Sequence, residues 1–256
     1  MTTDTKLAGL RRFNIVMTVL HLVQGIAMLL LCSDFALPVT SAFSQLDTDL
    51  QQLVAVPNTL GTLQIGPLVA AFLFLSALAH AVVASPGINR WYVNNLRKGI
   101  NYTRWVEYSL SASLMTVIIG MLVGLYDFTA LIMLFALNTA MILFGWMMEL
   151  HNQSTAKVNW TSFWMGSIIG LVPWIAIFAY LIGAGNEAGG PPGFVYGIFV
   201  SIFIFFNVFA INMVLQYKKV GPWRDYVFGE RAYIVLSLTA KSALAWQVFA
   251  GTLRPV

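Results

Sequence analysis

Seven stretches of about 20 residues in this chain are apolar almost throughout. They run approximately Phe13–Cys32, Ile65–Ala84, Trp105–Leu125, Phe128–Met148, Phe163–Ile182, Phe194–Leu215 and Ala232–Leu253. Each is long enough, as a helix, to cross a hydrocarbon core of roughly 30 Å. Only 9% of the residues are charged and 59% are hydrophobic, whereas about a quarter are charged in a soluble domain. The expected fold is an all-α membrane protein, a seven-helix bundle in the lipid bilayer forming one domain over residues 1–256. No internal repeat or low-complexity tract is visible. The N-terminal "MTTDTKLAGLRRF" lacks the pattern of a cleaved signal peptide. One cysteine, Cys32, excludes an intramolecular disulfide. The net charge of +4 fits basic membrane loops better than nucleic-acid binding.

The connector Ser33–Gln64 is the long one, with Asp34, Asp47 and Asp49, and it leaves room for a short β-hairpin. Of the 14 Lys+Arg residues, 12 fall in the N-terminal tail and the connectors after spans 2, 4 and 6. These are Lys6, Arg11, Arg12, Arg90, Arg97, Lys98, Arg104, Lys157, Lys218, Lys219, Arg224 and Arg231. The opposite side carries Asp34, Asp47, Asp49, Asp127 and Glu187, and Arg254 lies in the C-terminal tail. Basic residues mark the cytoplasmic side. The N-terminus is therefore expected in the cytoplasm and the C-terminus outside, with the long connector extracellular.

Lys241 remains, in the middle of "AYIVLSLTAKSALAWQVF", about 14 Å into the last span. Three readings are open. The lysine snorkels, although mid-span is the worst place to do so; it forms a structural ion pair; or its desolvated amine condenses with an aldehyde as a Schiff base. A cation there needs a counter-charge. Asp4, Asp34, Asp47, Asp49, Glu187, Asp225 and Glu230 fall in the tail or loops, Asp127 in a turn and Glu149 at the end of span 4. That leaves Glu107. Its alternative is an interfacial glutamate paired with Arg104 at i,i+3. If its helix starts nearer Asn101, Glu107 lies about 9 Å along it and reaches the interior. His21 with Gln24, His80 with Ser76, Ser111 and Ser237 sit at compatible depths. They suit a hydrated polar network beside Lys241, because unpaired polar groups are costly in a bundle.

Seven spans, a lysine in the last, and "RWVEY" at Arg104–Tyr108 resemble a retinal-binding microbial rhodopsin. Two positions depart from the proton-pump pattern: Ser237 stands where pumps carry Asp, and Ile118 where they carry an internal donor. The expected orientation is also inverted. "SDFALPVT", "RWVEYSLSAS", "MILFGW", "PGFVYGI" and "GERAYIVLSLTAKSALAWQVF" resemble the heliorhodopsins. That resemblance implies a rhodopsin-like bundle with all-trans retinal on Lys241, Glu107 as counterion, and Ser237, Ser76, His21 and His80 around them. It implies a pocket drawing on Tyr108, Ser111, Met115, Asn138, Met141, Ile142, Gly145, Trp164 and Phe206. It also implies a homodimer with a slow photocycle, and a light sensor rather than an enzyme or ion pump, signalling to a cytoplasmic partner. No metal is implied. The rivals are a light-driven or light-gated ion transporter and a retinal-independent membrane protein.

Overall fold

The computed structural model describes residues 3–49, 51–185 and 190–253, with side chains from Leu7 onward. Glu187, Arg254 and the side chains of Asp4 and Lys6 lie outside the described residues. The order of elements is α1 (Thr3–Leu31), β1 (Ala36–Asp47), β2 (Gln52–Gln64), α2 (Ile65–Ala84), α3 (Pro86–Arg97), α4 (Tyr102–Leu122), α5 (Phe128–His151), α6 (Thr161–Gly185), α7 (Gly193–Tyr217) and α8 (Tyr226–Val248), which continues as a π turn to Leu253. Seven of these helices, all but α3, are long and apolar enough to cross a membrane. The molecule is a multi-pass membrane protein.

α4 lies at the centre of the bundle, with 61% of its apolar window buried against 22% for α5 and α7. Met115, Ile118, Ile119 and Met121 of α4 are fully buried with Ile65, Phe72 and Leu73 of α2 and Leu244 and Val248 of α8. The outer faces present Ile15, Val19, Ile132, Ile168, Ile175 and Ile204 to the surroundings. Helices apolar on both faces are what a lipid solvent requires.

The helix ends fall outside the apolar runs because polar caps set them. Asn101 accepts the Arg104 amide at 3.1 Å, Asp127 the Ala130 amide at 2.9 Å and Asp225 the Val227 amide at 3.0 Å. Each satisfies an otherwise orphaned N–H of a first turn. α4 therefore starts at Tyr102 instead of Trp105, and α8 at Tyr226 instead of Ala232. α1 starts at Thr3 instead of Phe13, which moves Arg11 and Arg12 onto the helix. These shifts carry Arg104, Glu230 and Arg231 into spans that hydropathy had left as loop. The Ser85–Arg104 connector also contains a helix, α3, which the sequence reading had not resolved.

β1 and β2 pair antiparallel from Ala36–Gln64 to Asp47–Gln52, with a bulge at Val39/Thr40. The strands, of 12 and 13 residues, are longer than the short hairpin anticipated. Thr40 N–H donates to the Tyr126 carbonyl at 2.9 Å and ties the ribbon to the α4–α5 turn. Asp127→Ala removes the α5 cap and is expected to cost about 1 kcal/mol. Thermal melting of the detergent-solubilised protein measures this, and Asp127→Asn should retain most of the stability.

Candidate functional site

Lys241 on α8 and Glu107 on α4 meet inside the bundle, where Nζ lies 2.7 Å from Oε1. Lys241 is 3% exposed and Glu107 9%. One turn before the lysine, Ser237 Oγ accepts from Nζ at 2.9 Å. Ser76 of α2 donates to the same Glu107 oxygen at 2.6 Å. The amine also lies 5.1 Å from the centre of the Tyr108 ring. Four residues from three helices thus share one charge pair.

The two histidines lie beside it. His21 of α1 and His80 of α2 stack with centroids 5.7 Å apart and an interplanar angle of 11°. His80 Nδ1 is 2.7 Å from Asn14 Oδ1. His21 is fully buried, and neither of its ring nitrogens has a hydrogen-bond partner among the described residues. A buried imidazole of that kind calls for bridging water. Gln24 is directed elsewhere: it is half-buried and accepts from the Trp246 indole at 3.0 Å.

A cavity of about 260 Å³ lies beside Lys241 between α4, α5, α6, α7 and α8. Tyr108, Met115, Met141, Ile142, Gly145 and Phe206 line it, as the sequence suggested. Ser111, Asn138 and Trp164 do not. Ser111 is buried on α4, one turn from Glu107. Asn138 donates to Ser113 Oγ at 3.1 Å, within a polar seam between α4 and α5. Trp164 is 62% exposed; its neighbour Phe163 turns inward instead. Trp105, Trp174, Phe203, Phe209, Met213 and Tyr233 are among the other residues that line it, with Ser162, Ser167 and Asn207 as polar members.

Two glycines shape this space. A Cβ at Gly145 would stand 2.5 Å from the Trp105 ring, and one at Gly170 would collide with Met141. Glycine therefore lets Trp105 and Met141 lie flat against α5 and α6. The result is a cavity lined mainly by aromatic and thioether side chains, with one amine, that of Lys241, in its wall. That arrangement fits a long, polarisable, apolar aldehyde: the walls bind its length and the lysine its terminus.

A second charged site escaped the sequence reading. Arg104 pairs with both Glu149 of α5 and Glu230 of α8, and all three are buried. Glu149 also accepts from Trp105 Nε1 at 2.6 Å and from the Asn101 amide at 3.0 Å. Glu230 accepts from the Asn101 side chain at 2.7 Å. The guanidinium stacks 4.0 Å from the Tyr233 ring centre and 4.5 Å from that of Trp105. No Glu107–Arg104 pair forms: the two terminal nitrogens of Arg104 go to Glu149 and Glu230, and its Nε has no partner among the described residues. A cavity of about 40 Å³, lined by His80, Tyr92, Asn101, Arg104, Glu107 and Glu230 among others, separates the two sites. It has room for roughly two waters. One signal was present in the sequence: Glu230 precedes Lys241 by 11 residues, three helical turns, and so shares its face.

The family model described as Heliorhodopsin matches residues 10–253. No curated protein matches the chain. Among solved structures, a rhodopsin of Exiguobacterium sibiricum superposes with a TM-score of 0.64 at 13% identity, covering 96% of each chain. A light-driven proton pump of Leptosphaeria maculans gives a TM-score of 0.62 at 14% identity, over 98% of this chain and 97% of that one. At such identities these two likenesses establish the fold alone.

Arg104→Ala would leave two buried carboxylates without their cation, at an expected cost of about 3–5 kcal/mol. Combining it with Glu149→Gln and Glu230→Gln should restore much of the loss. Thermal melts of the two variants in detergent make the comparison.

Proposed function

We propose, for a chain that belongs to the heliorhodopsin family and is thereby a retinal-binding, light-responsive membrane protein, that its task is to sense light rather than to move ions. The carrying observation is the Lys241–Glu107 pair, whose lysine lies in the wall of the 260 Å³ cavity. Bound all-trans retinal would supply the light-absorbing polyene and the aldehyde carbon that joins the Lys241 nitrogen as a Schiff base. The slot residues Tyr108, Met115, Met141, Ile142, Gly145 and Phe206 would hold the chain of that molecule. Ser111, Asn138 and Trp164 would act at most indirectly, through the helices that carry them.

Glu107 serves as the counterion, and Ser76 and Ser237 fix its oxygen and the lysine nitrogen relative to each other. A protein with this pair keeps a positive charge at the Lys241 nitrogen in the dark. Displacing the N–H from Glu107 removes the stabilising charge, so the proton leaves. Glu107 itself, or His21 and His80 across the small polar cavity, receives it. These groups act as one coupled set.

Sensing is favoured over pumping by the residues along the path. Ser237 and Ile118 supply no carboxylate, and Ile118 is fully buried in the apolar core. On the inverted orientation, the N-terminus and the polar network face the cytoplasm, and the signal would leave through the basic connectors to a cytoplasmic partner. A slow photocycle and a homodimer complete the reading, with one seven-helix unit per protomer and no enzymatic step.

Lys241→Ala is expected to abolish the visible band formed on adding retinal, and a retained band would overturn the Schiff-base assignment. Illuminated cells expressing the wild-type chain should show neither photocurrent nor a light-dependent pH change. Either signal would favour an ion transporter.

A further inference from the structure

Among the described α-helices, α3 is the one too short and polar to cross a membrane, yet it joins two that are long and apolar enough, α2 ending at Ala84 and α4 beginning at Tyr102. It therefore lies at a membrane surface. Pro86 starts it, and Gly99, with φ of +77°, ends it. Its residues divide among three faces, taken at roughly 100° per residue. Tyr92 and Leu96 are buried against Leu7, Leu10, Val83, Val227 and Ile234. Ile88 and Trp91 are large, apolar and exposed, at 41% and 49%. Arg90, Asn94 and Arg97 form the third face, and Lys98 caps the end.

This is the pattern of a helix lying in the plane of a bilayer surface. Its exposed apolar side enters the acyl boundary and its basic side meets headgroups. The aromatic neighbours agree with that depth. Trp91 and Tyr102 lie 5.7 Å apart, and Tyr102 meets Trp146 of α5 edge-on at 5.6 Å. Such rings belong at the headgroup level. Charge supplies the chemistry of the occupant: from Ser85 to Ile100 there are three basic residues, Arg90, Arg97 and Lys98, and no acidic one. Among the described side chains at this end of the bundle, Glu149 and Glu230 pair with Arg104 and Asp225 caps α8. Part of the basic character also complements the C-terminal end of the helix dipole, but Arg90, about two turns before Arg97, has no such role.

We propose that the outer face of α3 is a binding site for anionic phospholipid headgroups, with Ile88 and Trp91 seated in the acyl boundary and Arg90, Arg97 and Lys98 on the phosphates. The proposal rests on the chain spanning a bilayer and not on the light reaction. On its inner side, Tyr92 of the same helix lines the small polar cavity between Glu107 and Glu230. Burial holds its phenol proton above the ordinary tyrosine range. Lipid bound outside thus clamps the lid of that cavity.

The test uses the full chain in nanodiscs of phosphatidylcholine with and without phosphatidylglycerol. The lipid retained after mild detergent extraction is counted by native mass spectrometry, and melting is followed in parallel. Wild type should retain phosphatidylglycerol selectively and melt higher with it. Arg90→Gln/Lys98→Gln should lower that preference about tenfold or more, while Lys157→Gln/Lys218→Gln, with the same change in charge, should keep it. Far-UV circular dichroism checks that both variants fold. Ile88→Ala/Trp91→Ala should weaken retention of both lipids and leave the charge preference intact. Equal loss in the two charge variants, no preference in the wild type, or displacement of the lipid by a soluble acidic peptide at lower concentration would overturn the proposal.

Discussion

An ammonium and a carboxylate 2.7 Å apart, both nearly out of water, hold each other in place because neither has an affordable alternative. Separated in a medium as apolar as this bundle, each would face a desolvation cost of several kcal/mol. Together they still leave lone pairs and protons to satisfy. Ser237 and Ser76 meet part of that demand, one from the lysine's own helix and one from α2. The pair therefore fixes three helices relative to one another: α2, α4 and α8. α4, which carries the carboxylate, is also the most enclosed helix. The slot beside Lys241 has one fixed wall for this reason, and its remaining walls supply mainly apolar bulk.

Those walls illustrate a division of labour. α4 and α8 bring the charged end together with Trp105, Tyr108, Met115 and Tyr233, while α6 and α7 bring most of the remaining rings and α5 brings Met141. Gly145 and Gly170 are as necessary as any ring, since side chains there would push Trp105 and Met141 into the cavity. Trp105 faces both ways. Its ring lines the slot, while its indole N–H is bound to Glu149. Tyr233 likewise lines the slot while its ring packs against the Arg104 guanidinium. A change in slot shape is thus felt at the Arg104 cluster through two rigid aromatic planes.

The seven spans, the lysine and its carboxylate were legible because a bilayer makes each of them stand out. An apolar run of the right length has one use, and a charge within it must have a partner. Glu149 and Glu230 were not legible, for a reason that is also physical. Hydropathy marks where side chains turn apolar, while a helix ends where its backbone is capped. Asn101 and Asp225 cap α4 and α8 upstream of the apolar runs, so their early turns carry Arg104 and Glu230 into the interior, and Glu149, in the last turn of α5, is the partner Arg104 then reaches. Trp164 shows the other limit. Adjacent residues on a helix point about 100° apart, and hydropathy does not distinguish Trp164 from Phe163. Only packing decides which of the two faces the slot.

The two charged sites differ in what they can do, and the difference follows from stoichiometry. At Lys241 one cation meets one carboxylate, so a small displacement leaves both unbalanced; this is a pair built to be broken. At Arg104 one planar cation is held by two carboxylates, with Trp105, Asn101 and Tyr226 donating to them as well. Losing any one contact there leaves several others, which makes it an anchor. Between them lies a small polar cavity, bounded by His80 on one side and Tyr92 on the other. On the proposed reading, a proton leaving the pair would meet His80 in that cavity, whose lining also includes Arg104 and Glu230 of the cluster that ties α4, α5 and α8 together. The cavity would then couple the two charged sites electrostatically across a short, poorly screened distance.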